Sequence, residues 1–194
     1  MELILVRHAE PIDETSDVGT PADPPLSDRG CAQARAVADW LLLRGVDRVL
    51  SSPALRARQT AQETARRAGL EIRVDERLRD ANARADRYIA LEAEKARDPA
   101  AYRARLAEYR GSPRLAGIAL RVVEALDEWT SRCRGERVAV FCHGSVVNVY
   151  ASRVLGLERR AFLEADFASA HRFLISGTGV RSVQSLNETA YLPI

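Results

Sequence analysis

His8 and His143 stand in equivalent settings, each directly behind a short apolar run, at residues 2–6 and 137–142. Such runs predict buried parallel strands. In open α/β sheets, ligands bind beyond the carboxyl ends of the strands, so two neighbouring strands would bring both imidazoles into one crevice. Arg7 precedes the first histidine. Arg56 lies in the first turn of a helix predicted to follow Ser51-Ser52, and its N-terminal N–H groups face the same edge. Two imidazoles, two guanidiniums and a helix N-terminus suit a dianionic phosphoryl group. Singly, each has a plainer reading: a strand-end histidine is commonly structural, and arginine abounds in this chain. The conjunction carries the inference.

The elements that must position these groups can be read along the chain. Residues 9–26 hold four prolines and few apolar side chains, which predicts a long irregular loop. Ser27 reads as an N-cap followed by a helix with Ala34, Val37, Ala38, Leu41 and Leu42 on one face, stopped at Gly45. Residues 47–51 predict a second strand. Ser52 then reads as a cap and Pro53 as the first residue of a helix running to about Gly69. Residues 71–74 predict a third strand. Residues 81–112, rich in Ala, Arg and Glu with a break near Pro99, predict two short amphipathic helices laid over one end of the sheet. A helix at 114–133 is expected to turn Ala119, Val122, Val123, Leu126 and Trp129 inward. A helix from Ser145 ends at Gly156, and residues 172–176 and 180–186 flank Gly177-Thr178-Gly179 as a hairpin. Strand–helix alternation predicts an α/β fold: a layered sheet of mostly parallel strands, helices on both faces, and a helical cap insertion. No linker divides residues 1–194, so one domain is expected, with 81–112 as its cap.

Composition narrows the classes. No apolar stretch approaches the roughly 20 residues of a membrane span, and the N-terminus lacks the pattern of a signal peptide. Cys31, Cys133 and Cys142 form neither a disulfide framework nor a zinc-ligand spacing, which points to a reducing, cytoplasmic setting. The net charge is only +2, and every basic residue except Lys95 is arginine. Charges of both signs are mixed throughout, with no basic run interleaved with aromatics, so neither nucleic acid nor membrane is expected as a partner. The oligomeric state stays open, a homodimer included.

Five segments carry a resemblance. Val6-Arg7-His8-Ala9-Glu10, Leu26-Ser27-Asp28-Arg29-Gly30-Cys31-Ala32-Gln33-Ala34, the run from Ser51 to Ala61, Phe141-Cys142-His143-Gly144, and Asn187-Glu188-Thr189-Ala190-Tyr191-Leu192 resemble, in order, the motifs of the histidine phosphatase superfamily, also called phosphoglycerate mutase-like. The resemblance implies that His8 attacks phosphorus to give a phosphohistidine. Arg7, Arg56 and His143 would hold the phosphoryl oxygens, and no metal or organic cofactor is required. Asp80 stands where the family commonly places a glutamate as general acid, and Glu10 is the fallback. Gly144, Ser145 and Glu10 join the candidate phosphate-binding set, Ser145 alternatively as a helix cap. His171 has no family counterpart and is expected at the surface or pocket rim. The resulting expectation is a phosphomonoester hydrolase acting on a small phosphorylated metabolite. The alternatives are a phosphoglycerate mutase-type isomerase, a phosphoprotein or phosphohistidine phosphatase, and a non-catalytic phosphate-binding domain. The segment Pro11-Ile12-Asp13-Glu14 departs from the mutase pattern, the intact pocket residues argue against a binding domain, and the length of the insert favours small substrates over proteins.

Overall fold

The computed structural model describes residues 1–89, 95–111, 113–158 and 160–192. Its main sheet has six strands in the order β4-β3-β6-β1-β7-β8. Strands β1 (Glu2–Arg7), β3 (Arg48–Ser51), β4 (Ile72–Val74) and β6 (Arg137–Cys142) run parallel. Strands β7 (Ala170–Ile175) and β8 (Arg181–Glu188) are an antiparallel hairpin added beside β1, each two residues longer than expected at its open end and one shorter at the turn.

The continuous apolar runs follow from burial on both faces. Leu3 and Leu5 of β1, with Val138 and Val140 of β6, pack under α4 (Arg114–Arg132) and α5 (Gly144–Leu155). Ile4, Val6, Ala139 and Phe141 point the other way, toward Val37 and Leu41 of α1 (Asp28–Arg44) and Ala61 of α2 (Leu55–Ala68). All eleven of these side chains are fully buried. A buried Leu or Ile stabilises by roughly 1.5–3 kcal/mol relative to exposure, so these strands anchor the molecule. On α4 the buried stripe is Leu115, Ile118, Val122, Ala125 and Leu126, turned slightly from the expected face; Ala119, Val123 and Trp129 flank it half-buried.

Three expectations change. Helix α2 starts at Leu55, after Ser52 and Pro53, with Ala54 at the cap position and no side-chain cap from it. The Ser52 hydroxyl is instead bonded to His143. Residues 81–89, expected to be helical, form a turn and then β5 (Arg87–Tyr88), which pairs with β2 (Glu14–Thr15) of the long loop. Residues 90–94 of the expected first cap helix lie outside the described residues; the second is α3 (Pro99–Gly111), with the predicted break as its first residue. His171 is neither at the surface nor on the rim. It is fully buried in β7, accepting from the Asn187 N–H at 3.1 Å and bonded to Ser169 Oγ at 3.0 Å.

The loop at 9–26 is irregular yet closely held. Ala9 N–H donates to Thr60 Oγ1, Glu10 N–H to Gln33 Oε1 and Leu26 N–H to Gln59 Oε1, all at 2.8–3.0 Å. Polar residues of α1 and α2 thus supply the acceptors that a strand or helix would otherwise provide. Ser27 Oγ caps α1 through the Gly30 N–H at 3.0 Å, as expected. Gly30 is where the loop touches the helix: a Cβ there would stand 1.9 Å from the Glu10 carbonyl oxygen. Gly30→Ala should therefore destabilise by about 1–3 kcal/mol. Gly117→Ala, in the first turn of α4 with open space around its Cβ, should stabilise by up to about 1 kcal/mol. Urea unfolding of both variants checks the contrast.

Candidate active site

Register places the two histidines. Arg7 of β1 lies opposite Cys142 of β6, and the His8 N–H donates to the Cys142 carbonyl at 2.9 Å, so both chains leave the sheet together. The imidazole centroids are 5.2 Å apart at an interplanar angle of 62°. Strand β3 ends beside them, with the Ser52 N–H on the Phe141 carbonyl at 2.9 Å. Helix α2 then carries Arg56 over both rings: its Nε lies 3.3 Å from His8 Nε2 and its Nη2 lies 3.4 Å from His143 Nδ1. Thus the five expected site residues Arg7, His8, Arg56, Asp80 and His143 line one cavity of about 710 Å³, together with Gly144 and Ser145.

The hydrogen bonds fix the protonation of the rings. His8 Nδ1 faces the Ala9 carbonyl oxygen at 2.8 Å, and a carbonyl only accepts, so the proton is on Nδ1 and the lone pair on Nε2. His143 Nδ1 faces a guanidinium, which only donates, so its Nε2–H donates to Ser52 Oγ at 2.8 Å. Burial, then the cation of Arg56, His143 and the cation of Arg7, hold His8 well below its usual value. Burial chiefly pushes His143 down to about 3, against the opposing pull of Asp80. Both rings are neutral, and His8 presents a bare nitrogen to the cavity.

Arg7 leaves the strand with its guanidinium 3.9 Å above the Phe167 ring and Nη1 donating to the Ala165 carbonyl. Its backbone neighbours on the other side are set by Asn148, which donates to the Gly144 and Leu163 carbonyls and accepts from the Phe162 and Leu163 N–H groups. A buried asparagine inside the apolar helix Val146-Val147-Asn148-Val149-Tyr150 was a legible signal that the sequence reading passed over. Tyr88 of β5 lies with its ring 4.7 Å from the Arg56 guanidinium and 6.3 Å from His8.

Asp80 joins the site. Arg79 turns away to Glu76 at 2.6 Å. Burial raises the Asp80 carboxyl, but His143, Arg56, the Ser145 hydroxyl at 2.6 Å and the Ala81 N–H at 2.7 Å together bring it below its ordinary value. Asp80 is a carboxylate in the unliganded site. Ser145 neither caps α5, whose N-cap is His143, nor points at phosphate by its hydroxyl; it holds Asp80. Glu10 does not enter the cavity. Its carboxylate accepts from Ser27 Oγ and Arg29 Nη1 at 3.1 Å, over the start of α1, because the loop turns there.

The chain matches the histidine phosphatase superfamily (branch 1) over residues 3–189, and it belongs to that family. It is 30% identical to "Phosphoserine phosphatase 1" of Hydrogenobacter thermophilus, covering 99% of this chain and 94% of that one. It is 27% identical to "Probable phosphoglycerate mutase GpmB" of Erwinia tasmaniensis, covering 83% and 78%. A mycobacterial glucosyl-3-phosphoglycerate phosphatase shares the fold at a TM-score of 0.75 and 22% identity, covering 97% and 99%.

The buried rings make stability depend on pH. All three histidines of the chain are at most 2% exposed, His143 and His171 are held at about 3, and His8 is also pushed down. Below about 6.5 the unfolded chain takes up these protons and the native chain does not, so stability is lost as pH falls from 6.5 toward 3. Denaturant titrations should show a slope approaching about 4 kcal/mol per pH unit near pH 5, about 1.4 for each histidine. A flat profile between pH 6.5 and 5 would contradict the neutral, buried rings.

Proposed function

We propose that the protein is a phosphomonoester hydrolase that passes the phosphoryl group of a small metabolite through His8. The observation that carries this reading is the bare Nε2 of His8 set against the buried guanidinium of Arg56. Arg7, Arg56 and the N–H groups of Gly144 and Ser145 at the start of α5 bind the phosphoryl oxygens, where charge sits during transfer, and His143 joins them when the charge of the bound phosphate draws a proton onto its Nδ1. His8 Nε2 forms a bond to phosphorus as the ester P–O bond breaks, and the departing oxygen takes a proton. Water then attacks phosphorus, the Nε2–P bond breaks, and the water proton returns to the carboxylate.

Asp80 is the proposed proton carrier. Its carboxylate is ionised before substrate arrives, so the proton enters with the substrate. A phosphate monoester has its second pKa near 6 and brings a proton as the monoanion. Its negative charge beside Asp80, and on Arg56, favours transfer of that proton to the carboxylate.

The cavity is several times larger than a phosphate group and falls in the range of small-molecule sites. Residues 82–89 and the helix α3 side chains Tyr102, Arg105 and Tyr109 form its outer wall, which supports reading 81–112 as a cap on a single domain. Phosphoserine is the first substrate to test, because the 30% identical relative is named for it. A cytoplasmic setting is supported by three free cysteines, Cys133 and Cys142 being buried. Among the described residues no helix is long and apolar enough to cross a membrane.

Purified protein should hydrolyse phosphoserine or a related small ester, and p-nitrophenyl phosphate, undiminished by excess EDTA, since Arg7 and Arg56 supply the positive charge. Isomerisation of 3-phosphoglycerate without release of phosphate would favour the mutase alternative. Asp80→Asn should slow hydrolysis of phosphoserine by about a hundredfold or more, and that of p-nitrophenyl phosphate, whose leaving group scarcely needs a proton, by far less. Equal losses on both substrates would remove Asp80 as the acid.

A further inference from the structure

Helix α2 carries Arg56 in its first turn, yet its own sequence does not hold its N-terminus. Ala54 has no acceptor side chain, and the Ser52 hydroxyl accepts from His143 Nε2 at 2.8 Å and reaches only the Ala54 N–H, at 3.3 Å, ahead of the helix. The acceptor comes from the long loop. Both carboxylate oxygens of Asp23 receive the Leu55 N–H, at 2.9 and 3.1 Å, and Oδ1 lies 3.5 Å from Arg56 Nη1. Asp23 lines the cavity rim with its side chain 49% exposed, whereas Arg56 is 4% exposed.

We propose that Asp23 is a positioning residue for Arg56, latching the start of α2 and one side of the guanidinium so that it faces His8 and the phosphoryl oxygens. The proposal rests on the phosphatase reading above.

Three features support a latch rather than an incidental surface contact. The first is its rigidity. Asp23 sits in Pro21-Ala22-Asp23-Pro24-Pro25, where Pro24 confines the backbone of Asp23 to extended conformations. The Ala22 N–H is tied to the Ala85 carbonyl at 2.9 Å and the Leu26 N–H to Gln59 Oε1 at 2.8 Å, so the segment is fixed on both sides. The second is charge. An anion at a helix N-terminus is favourable, and this one also faces a cation that is almost fully buried. The third is the loose grip on Arg56. Its contacts to His8, His143, Asp23 and Asp80 fall between 3.3 and 3.6 Å, all longer than the 2.7–2.9 Å of a charge-assisted bond. The guanidinium is held between two carboxylates, Asp23 at Nη1 and Asp80 at Nη2. Without Asp23 it would close on Asp80, drawing it off the phosphate and tying up the proposed proton carrier.

Two variants and two readouts test this. Asp23→Ala removes the acceptor, while Asp23→Asn keeps an oxygen for Leu55 without the charge. In Asp23→Ala, hydrogen exchange in the first turn of α2 should be about fivefold faster. The dissociation constant for inorganic phosphate, measured by calorimetry, should rise about tenfold or more, and kcat/KM should fall about ten- to a hundredfold, the scale of a small misplacement. Asp23→Asn should restore slow exchange and most of the phosphate affinity. Unchanged phosphate affinity in Asp23→Ala would overturn the proposal, whatever its exchange rate, since a plain helix cap would not move it. Unchanged exchange would overturn it equally. A wild-type protein that neither binds phosphate nor hydrolyses esters would sink the phosphatase reading instead, and the exchange comparison would still judge the latch.

Discussion

The site depends on one contact, a buried guanidinium 3.3 Å from the lone pair of a buried imidazole. Burial chiefly keeps His8 neutral, and in that low-dielectric interior a cation so close makes a second cation costlier still. The Ala9 carbonyl then decides which nitrogen is bare. Much of the architecture serves this contact. The parallel pair β1–β6 aligns the histidines, and the end of β3 delivers Ser52 to the second ring. Helix α2 brings Arg56 in from its first turn, while its later residues Gln59 and Thr60 hold the loop that reaches around to its N-terminus.

The charge balance explains why such a site tolerates a buried and a half-buried arginine side by side. Arg7 and Arg56 are offset by Asp80 in the pocket and Asp23 at its rim, so the unliganded cavity floor is close to neutral. A phosphate ester adds negative charge. In the proposed mechanism the arginines then transfer part of their interaction from the aspartates to the phosphoryl oxygens, and Asp80 becomes the group best placed to accept a proton, so that binding and preparation of the acid are one electrostatic event. Ser145 and Ala81 N–H keep Asp80 aimed throughout. From the neighbouring helix, Arg121 donates to the Arg77 carbonyl and, at 2.8 Å, to the Arg79 carbonyl, bracing the turn that carries it.

The parts of this site that were legible in the sequence are those set by local pattern. Apolar runs buried on both faces announce the parallel strands, and the histidine behind each run follows from strand direction alone. The family motifs then assign roles, with His8 as nucleophile and Arg7, Arg56 and His143 on the phosphoryl oxygens. Long-range competition for hydrogen bonds was not legible. Ser52-Pro53 has the local look of a helix start, but an imidazole 91 residues away claims the hydroxyl, and a carboxylate 32 residues upstream takes over the cap. The nearest charge to Asp80 in sequence is Arg79, whereas the groups that govern it, His143, Arg56 and the Ser145 hydroxyl, arrive through folding. The segment 81–89 has helical composition, yet pairing with Glu14–Thr15 offers its backbone partners that composition does not reveal. His171 looked peripheral because no motif claimed it; position on a central strand buried it.

The most direct test of the account is the chemical form of the intermediate. Protein mixed briefly with an excess of labelled phosphate ester, quenched in base and digested, should yield one phosphopeptide containing His8. The phosphoryl group should be on Nε2, since Nδ1 carries the proton bonded to Ala9. The adduct should be labile in acid and absent from His8→Ala. Label on His8 Nδ1, on His143, or on no residue while turnover proceeds would contradict the claim that the bare Nε2 beside Arg56 is the nucleophile.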